Sequence, residues 1–269
     1  MFISRDCVSP IMIPLSDKKP TKTIYTLSLV VALFIFGMVY LSVNPLEVFL
    51  QLPSFIQFFF TRFLPPDFSN LGNYLPLVFD TILFALVATY ISSFVAFLIA
   101  LSMSETYNPV APLRIVARFF VSFFRNMPIL ILAQLLVFVF GIGSAVGLLA
   151  LVLATLGFLS RAYADSLNEI GPEHTESLVA AGATRSQVLI HGIIPHFFPT
   201  WISWTLFIFE INIRASILLG IVGAGGIGIM VRSTINQFRF QEAMAIIVVI
   251  VVLVLMTETI TNWLRKKVA

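Results

Sequence analysis

Glu210, Asn212, Arg214 and Ser216 lie together in the stretch FEINIRASILLG, inside an otherwise apolar run. Glu210 and Arg214 are four residues apart, so on a helix they share one face, with the acid N-terminal to the base, the order that favours an ion pair. A charge inside a membrane costs about 3 kcal/mol even on insertion scales, so both groups must face a polar cavity or a partner subunit. Two kinds of chemistry suit them. Arg214 could attract an oxyanion along a passage, because a guanidinium matches such oxygens bidentately. Equally, the pair could be structural and fix its helix against a neighbour. Asn212 and Ser216 add hydrogen-bonding capacity, with Asn212 pointing apart from the pair. The spacing admits both readings.

Other chemistry-bearing patterns are weaker. Gly223, Gly225, Gly226 and Gly228 contain G-x-G-x-x-G, and Glu242 follows Gly223 by about the interval of a dinucleotide site. That fingerprint needs a preceding strand in a βαβ unit, and here a long apolar helix precedes it. The glycines read instead as a tight turn outside the membrane. His174, His191 and His196 lack the spacing of a metal-binding pair, and Cys7 is the sole cysteine. No metal site is expected. No G-x-x-x-x-G-K-[ST] motif occurs, so energy from ATP must come from another subunit.

The elements that position these residues are membrane helices. The chain is 59% hydrophobic and 11% charged, with a mean hydropathy of +1.00, which excludes a soluble globule. Runs of about 20 apolar residues predict six spans, at 24–43, 77–103, 119–140, 144–164, 197–222 and 243–264. Pro128 should kink the third. Twelve of the sixteen Lys and Arg fall on one side of this topology, and Arg62, Arg232 and Arg239 on the other. The bias puts both termini in the cytoplasm. The first span reads as a retained anchor and not as a cleaved signal.

Two connections are more than loops. Residues 44–76 are apolar but broken by Pro53, Arg62, Pro65 and Pro66, which predicts a short amphipathic segment along the external interface. Residues 168–196 are internal. Gly171-Pro172 starts a helix with Glu173 and Glu176 in its first turn, and this helix runs to Ala181 and stops at Gly182. Thr184 and Gln187 then form a capping box for a second helix, which Pro195 closes. A compact polar hairpin of this kind suits docking to a partner protein.

Glu176, Gly182 and Pro195 carry a resemblance. Their spacing resembles the cytoplasmic EAA loop of ATP-binding-cassette importer permeases, with Ser177 and Leu178 in place of the two alanines, Gly192 for isoleucine and Ile194 for leucine. After residue 60 the similarity becomes more specific. FLPPDFSNLGNYLP, the run from FFRNMPILILAQ to SRAYADSLNEI, and FEINIRASILLGIVGAGGIG are similar to the phosphonate-importer permeases, including relatives that move phosphite or phosphate-like anions. Residues 1–23 carry no such resemblance and read as a cytoplasmic tail before a permease domain at 24–269.

The resemblance implies an all-α, polytopic bundle with the type I importer permease fold, in a bacterial cytoplasmic membrane. It implies that Glu176, Ala181, Gly182 and Pro195 belong to the element that couples to the ATPase, and that the glycine turn at 223–228 lies near the external gate. It also implies two ATP-binding subunits that hold ATP and Mg, a second permease copy and an external binding protein, with no cofactor on this chain and no nucleic-acid partner. The rival classes are an ion-coupled secondary transporter working through Glu210 and Asp80, and a permease of the same kind for another small solute. A membrane-embedded hydrolase lacks any catalytic constellation in the spans.

Overall fold

The computed structural model describes residues 20–42, 44–104, 110–170, 176–223 and 225–268, and every regular element among them is helical. Residues 1–19 of the expected tail and the expected helix start at Gly171-Pro172 lie outside the described residues. The chain divides into two units, residues 1–58 and 59–269.

The first unit holds α1 (Pro20–Tyr40) and most of α2 (Pro45–Arg62). Helix α1 begins inside the segment that the sequence assigns to the tail. Asn44 opens α2, accepting the Leu46 N–H at 3.1 Å while its amide donates to Glu47 at 3.2 Å. Pro53 does not break α2, which runs unbroken for 18 residues, contrary to the sequence expectation. Glu47, Gln51, Ser54, Gln57, Thr61 and Arg62 recur along one side of it, and no residue of it is buried.

The second unit is a helical bundle. Its long members are α3 (Leu71–Met103), α6 (Ser144–Glu169), α9 (Ile194–Ile221) and α11 (Phe240–Val268). Between them run α4 (Ala111–Asn126), α5 (Ile129–Phe140), α7 (Glu176–Ala180), α8 (Arg185–Gln187) and α10 (Gly228–Asn236). Small buried residues let the backbones of α3 and α6 approach: Ala85, Ala88, Thr89, Ser92, Ala96 and Ala100 on one, Gly147, Ala150, Gly157 and Ser160 on the other. At Gly157 the contact extends to α4, where a Cβ would stand 2.6 Å from the Arg125 backbone nitrogen. A buried polar knot ties α3, α6 and α9. Ser93 lies 2.8 Å from the Tyr163 hydroxyl and 2.9 Å from the Thr205 hydroxyl, and accepts the Trp201 indole N–H at 2.8 Å.

Four helical stretches are long and apolar enough to cross a membrane, and two bent pairs bring the count to six if each pair is one span. The third predicted span, 119–140, is not one continuous helix: α4 and α5 meet at 97°. Pro128 has no N–H to continue the ladder and forces Met127 out of the helical region, to φ −85 and ψ 120. With 12 residues, α5 reaches only about 18 Å and cannot cross alone. The second span starts at Leu71, before the expected 77, and the last extends from Phe240 to Val268.

Pro195 does not close the helix that begins after Thr184. The chain passes from α8 into a π-helical segment, Val188–Ile193, and directly on into α9. The wider π turn bonds the Ile194 N–H to the Leu189 carbonyl. That shift in register absorbs the donor Pro195 lacks, so α8, the π segment and α9 form one continuous helical run.

Candidate functional site

Glu210 and Arg214 are ion-paired as their spacing predicts, and the pair is part of a larger cluster between α9 and α11. Glu258, Thr261 and Arg265 recur at intervals of three and four on α11, so they share a face. That face meets Phe207, Glu210 and Arg214, which share one on α9. One Glu210 oxygen accepts from Arg214. The other accepts from Arg265 at 3.2 Å and from the Thr261 hydroxyl at 3.4 Å. Glu258 stands 3.8 Å from Arg214, and the Arg265 guanidinium lies 5.8 Å from the centre of the Phe207 ring. Glu210 is buried, whereas the Arg214 and Glu258 side chains are each 46% exposed.

Two carboxylates and two guanidinium groups leave the cluster electrically neutral. Arg265 is close to the end of α11, followed by Lys266 and Lys267, so the cluster lies toward one end of that helix and not at its centre. Lys267 caps the Trp263 ring at 3.8 Å, a pairing suited to a membrane interface.

Asn212 and Ser216 belong to the bundle interior and not to this cluster. Asn212 is buried between α6 and α3, accepting from the Thr155 hydroxyl at 2.9 Å and donating to Thr89 at 2.9 Å. Ser216 donates to the Ile213 carbonyl at 2.8 Å. Sequence reading names all four as candidates along one passage and sets only Asn212 apart from the pair. A helix separates them, because positions two apart point to opposite sides. Sequence reading also overlooks Glu258 and Thr261 and counts Arg265 only among the cytoplasmic charges that set the orientation. The available signal is the interval Glu258-x-x-Thr261-x-x-x-Arg265 inside an apolar helix.

The glycine turn is packed into the bundle. Gly223, Gly225 and Gly226 have φ of +99, +95 and +74, which glycine adopts without strain. The Ile227 N–H donates to the Thr81 hydroxyl at 3.0 Å, and a Cβ on Gly226 would meet that same oxygen at 2.8 Å. Gly228 opens α10 directly against the backbone of α9. Glu242, the acid in the false dinucleotide pattern, is buried by pairing with Arg239 and accepts the Asn70 amide at 3.1 Å. Nearby, exposed Asp67 is held below its usual carboxylate range, first by the Ser69 hydroxyl and then by the Ser69 N–H.

In the hairpin, α7 ends as predicted. Gly182 has φ +81, and the Ala183 and Gly182 N–H groups bond to the Leu178 and Val179 carbonyls, each at 3.0 Å, which is a Schellman motif. The expected capping box is present: the Thr184 N–H donates to Gln187 Oε1 at 2.8 Å and the Gln187 N–H to Thr184 Oγ1 at 3.4 Å. Glu176 starts α7, and Ala181 and Pro195 flank the hairpin's turn and its exit. A Cβ at Gly182 would meet nothing within 4 Å, so substitution there acts through φ alone. Gly182→Val is expected to cost about 1–2 kcal/mol of local order. If the hairpin couples this chain to an ATPase, as the resemblance implies, Gly182→Val should lower transport and substrate-stimulated ATP hydrolysis together in the reconstituted complex, while Gly182→Asn, which tolerates positive φ, retains most of both. Normal coupling with Val would exclude a docking role for the turn.

Helices of this number and arrangement, with a polar hairpin leading into a charged membrane helix, define a polytopic helical membrane protein. A solved structure of the MetNI methionine ABC transporter in inward-facing conformations shares the fold, with a TM-score of 0.63 at 20% identity over 73% of this chain and 96% of that one. The chain belongs to the family described as binding-protein-dependent transport system inner membrane component, whose model matches residues 92–269. It is 31% identical over 231 residues to the phosphate-import permease protein PhnE of Mycolicibacterium smegmatis, covering 86% of this chain and 43% of that protein. It is also 31% identical over 203 residues to the phosphite transport system permease protein PtxC of Stutzerimonas stutzeri, covering 76% of this chain and 74% of that one. The match therefore spans less than half of the mycobacterial relative and about three quarters of the other. The resemblance to phosphonate-importer permeases is borne out.

Proposed function

We propose that this chain is the membrane-spanning permease subunit of an ATP-driven importer for phosphonate or a related phosphorus oxyanion such as phosphite or a phosphate ester. The observation that carries the substrate class is Arg214: a half-exposed guanidinium on a membrane helix, in a chain whose relatives are named phosphate and phosphite permeases. A charge so exposed is stable only beside water, a ligand or another subunit. A guanidinium suits tetrahedral oxyanions in particular.

In this reading the permease domain is 24–269, with 44–76 along the external interface and both termini in the cytoplasm. The hairpin at 168–196, with Glu176, Ala181, Gly182 and Pro195, docks one of two ATPase subunits, which supply ATP and Mg chemistry that this chain lacks. The unbroken helical run from Arg185 through the π segment to α9 supports a mechanical link between that hairpin and Arg214. A second permease copy completes the passage, and an external binding protein delivers the anion. The glycine turn at Gly223, Gly225, Gly226 and Gly228 closes the outer end against Thr81. ATP binding then shifts the population between outward- and inward-open states.

Substrate competition tests the class. In proteoliposomes with the partner subunits and binding protein, excess unlabelled methylphosphonate or phosphite is expected to suppress uptake of labelled phosphite, while methionine and glutamine leave it unchanged. Uptake of an amino acid with no uptake of any phosphorus oxyanion would assign this permease to a different solute.

A further inference from the structure

We propose that Glu258 is the internal counter-ion of Arg214, which the transported oxyanion displaces when it enters the site. The inference rests on the reading of Arg214 as the anion contact and adds a residue that sets how readily the anion is accepted.

The cluster divides its charges unequally. Glu210 is buried and is bonded on its second oxygen by Arg265 and Thr261, so it stays compensated when Arg214 turns toward another ligand. Arg214 and Glu258 form the loosest contact of the group, at 3.8 Å, with each side chain 46% exposed. An ion pair of that kind separates at little cost. Glu210 and Glu258 both address the same terminal nitrogen, Nη2, of Arg214. The Nε–H and Nη1 donors of Arg214 meet no acceptor among the described residues. Arg265 Nε is buried and likewise has none. The cluster thus holds surplus N–H donors, a match for the several acceptor oxygens of a phosphoryl-type anion.

Charge favours the same exchange. With Glu258 in place the four groups sum to zero. An anion reaching Arg214 meets the carboxylate of Glu258 at close range, and like charges repel. Exchange resolves this: the oxyanion takes Arg214, Glu258 swings toward solvent, and the site regains neutrality when the anion leaves and Glu258 returns. Such a competitor would keep Arg214 from holding its cargo too tightly for release.

Binding of labelled phosphite to the purified, assembled complex, measured by equilibrium dialysis without the binding protein, tests the exchange. Glu258→Gln removes the competing charge and should tighten phosphite binding by about fivefold, the range of a half-exposed ion pair. Glu258→Asp keeps the charge and should bind as the unaltered protein does. The double change Glu258→Gln with Arg214→Gln should lose the gain. Equal binding by Glu258→Gln and the unaltered protein, or no measurable binding by either, overturns the proposal. Uptake by Arg214→Gln separates the two levels: if uptake is lost but Glu258→Gln shows no gain, the exchange falls and the Arg214 contact stands. Normal uptake by Arg214→Gln removes both.

Discussion

Arg214→Gln is expected to lower oxyanion uptake by about ten- to a hundredfold, the worth of one or more charged hydrogen bonds, while the chain still folds and assembles. Assembly survives because Arg265 and Thr261 continue to satisfy the buried Glu210 carboxylate. Arg214→Lys keeps the charge but loses the planar fork, so its uptake should fall between the two. Glu210→Gln behaves differently. It leaves Arg214 and Arg265 facing each other without their shared carboxylate, and the damage should appear first as reduced thermal stability and complex yield. Uptake at matched complex abundance, with stability recorded in parallel, distinguishes the two positions. If Arg214→Gln transports normally, the guanidinium serves only to pack α9 against α11.

Gly228→Val is expected to abolish the folded bundle. A Cβ there would stand 1.9 Å from the Ile217 carbonyl oxygen and 3.0 Å from the Ile221 backbone nitrogen, and neither atom can rotate away. Across the same contact, a Cβ on Gly220 would lie 2.5 Å from the Gly225 carbonyl oxygen. Overpacking against movable side chains costs about 1–3 kcal/mol, and backbone against backbone costs more. The expected result is almost no monodisperse protein after membrane extraction. Gly72→Ala, in the first turn of α3 with open space around it, should express normally and serves as the control. Well-folded Gly228→Val would mean that α10 does not dock on α9.

The contrast between these sites shows what a sequence makes legible. Local rules read well. Gly182 is the left-handed stop of α7, Thr184 and Gln187 are a capping box, and Pro128 breaks its span, because each outcome depends on one residue and its near neighbours. The Glu210–Arg214 pair is equally local, being a single helical turn. Contacts across elements are not legible in this way. Nothing in α9 names Arg265 and Glu258, which stand about fifty residues further along the chain on another helix, as the groups that complete the cluster. Asn212 points away from Arg214 toward Thr89 and Thr155 because α3 and α6 pack on that side. Pro53 and Pro195 mark the limit of proline rules. One sits within an intact α2 and the other is accommodated by a π turn, so each helix continues where a break is expected.

The glycines at 223–228 illustrate the same boundary. Their number and spacing identify a turn, and positive φ at three of them agrees. That the turn is buried against Thr81 and the backbone of α9, instead of lying as an open loop, follows only from the packing of three helices.

In the proposed function this chain carries a phosphorus oxyanion inward with energy from ATP spent in partner subunits. The most direct measurement is uptake of labelled phosphite into proteoliposomes that hold the chain with its ATPase subunits and the loaded binding protein, with ATP and Mg supplied to the ATPase side. Uptake that requires ATP, stops when the ATPase subunits cannot hydrolyse it and ignores an imposed proton or sodium gradient is the predicted result. Uptake driven by an ion gradient without ATP or the ATPase subunits would contradict the account and make this chain a secondary transporter.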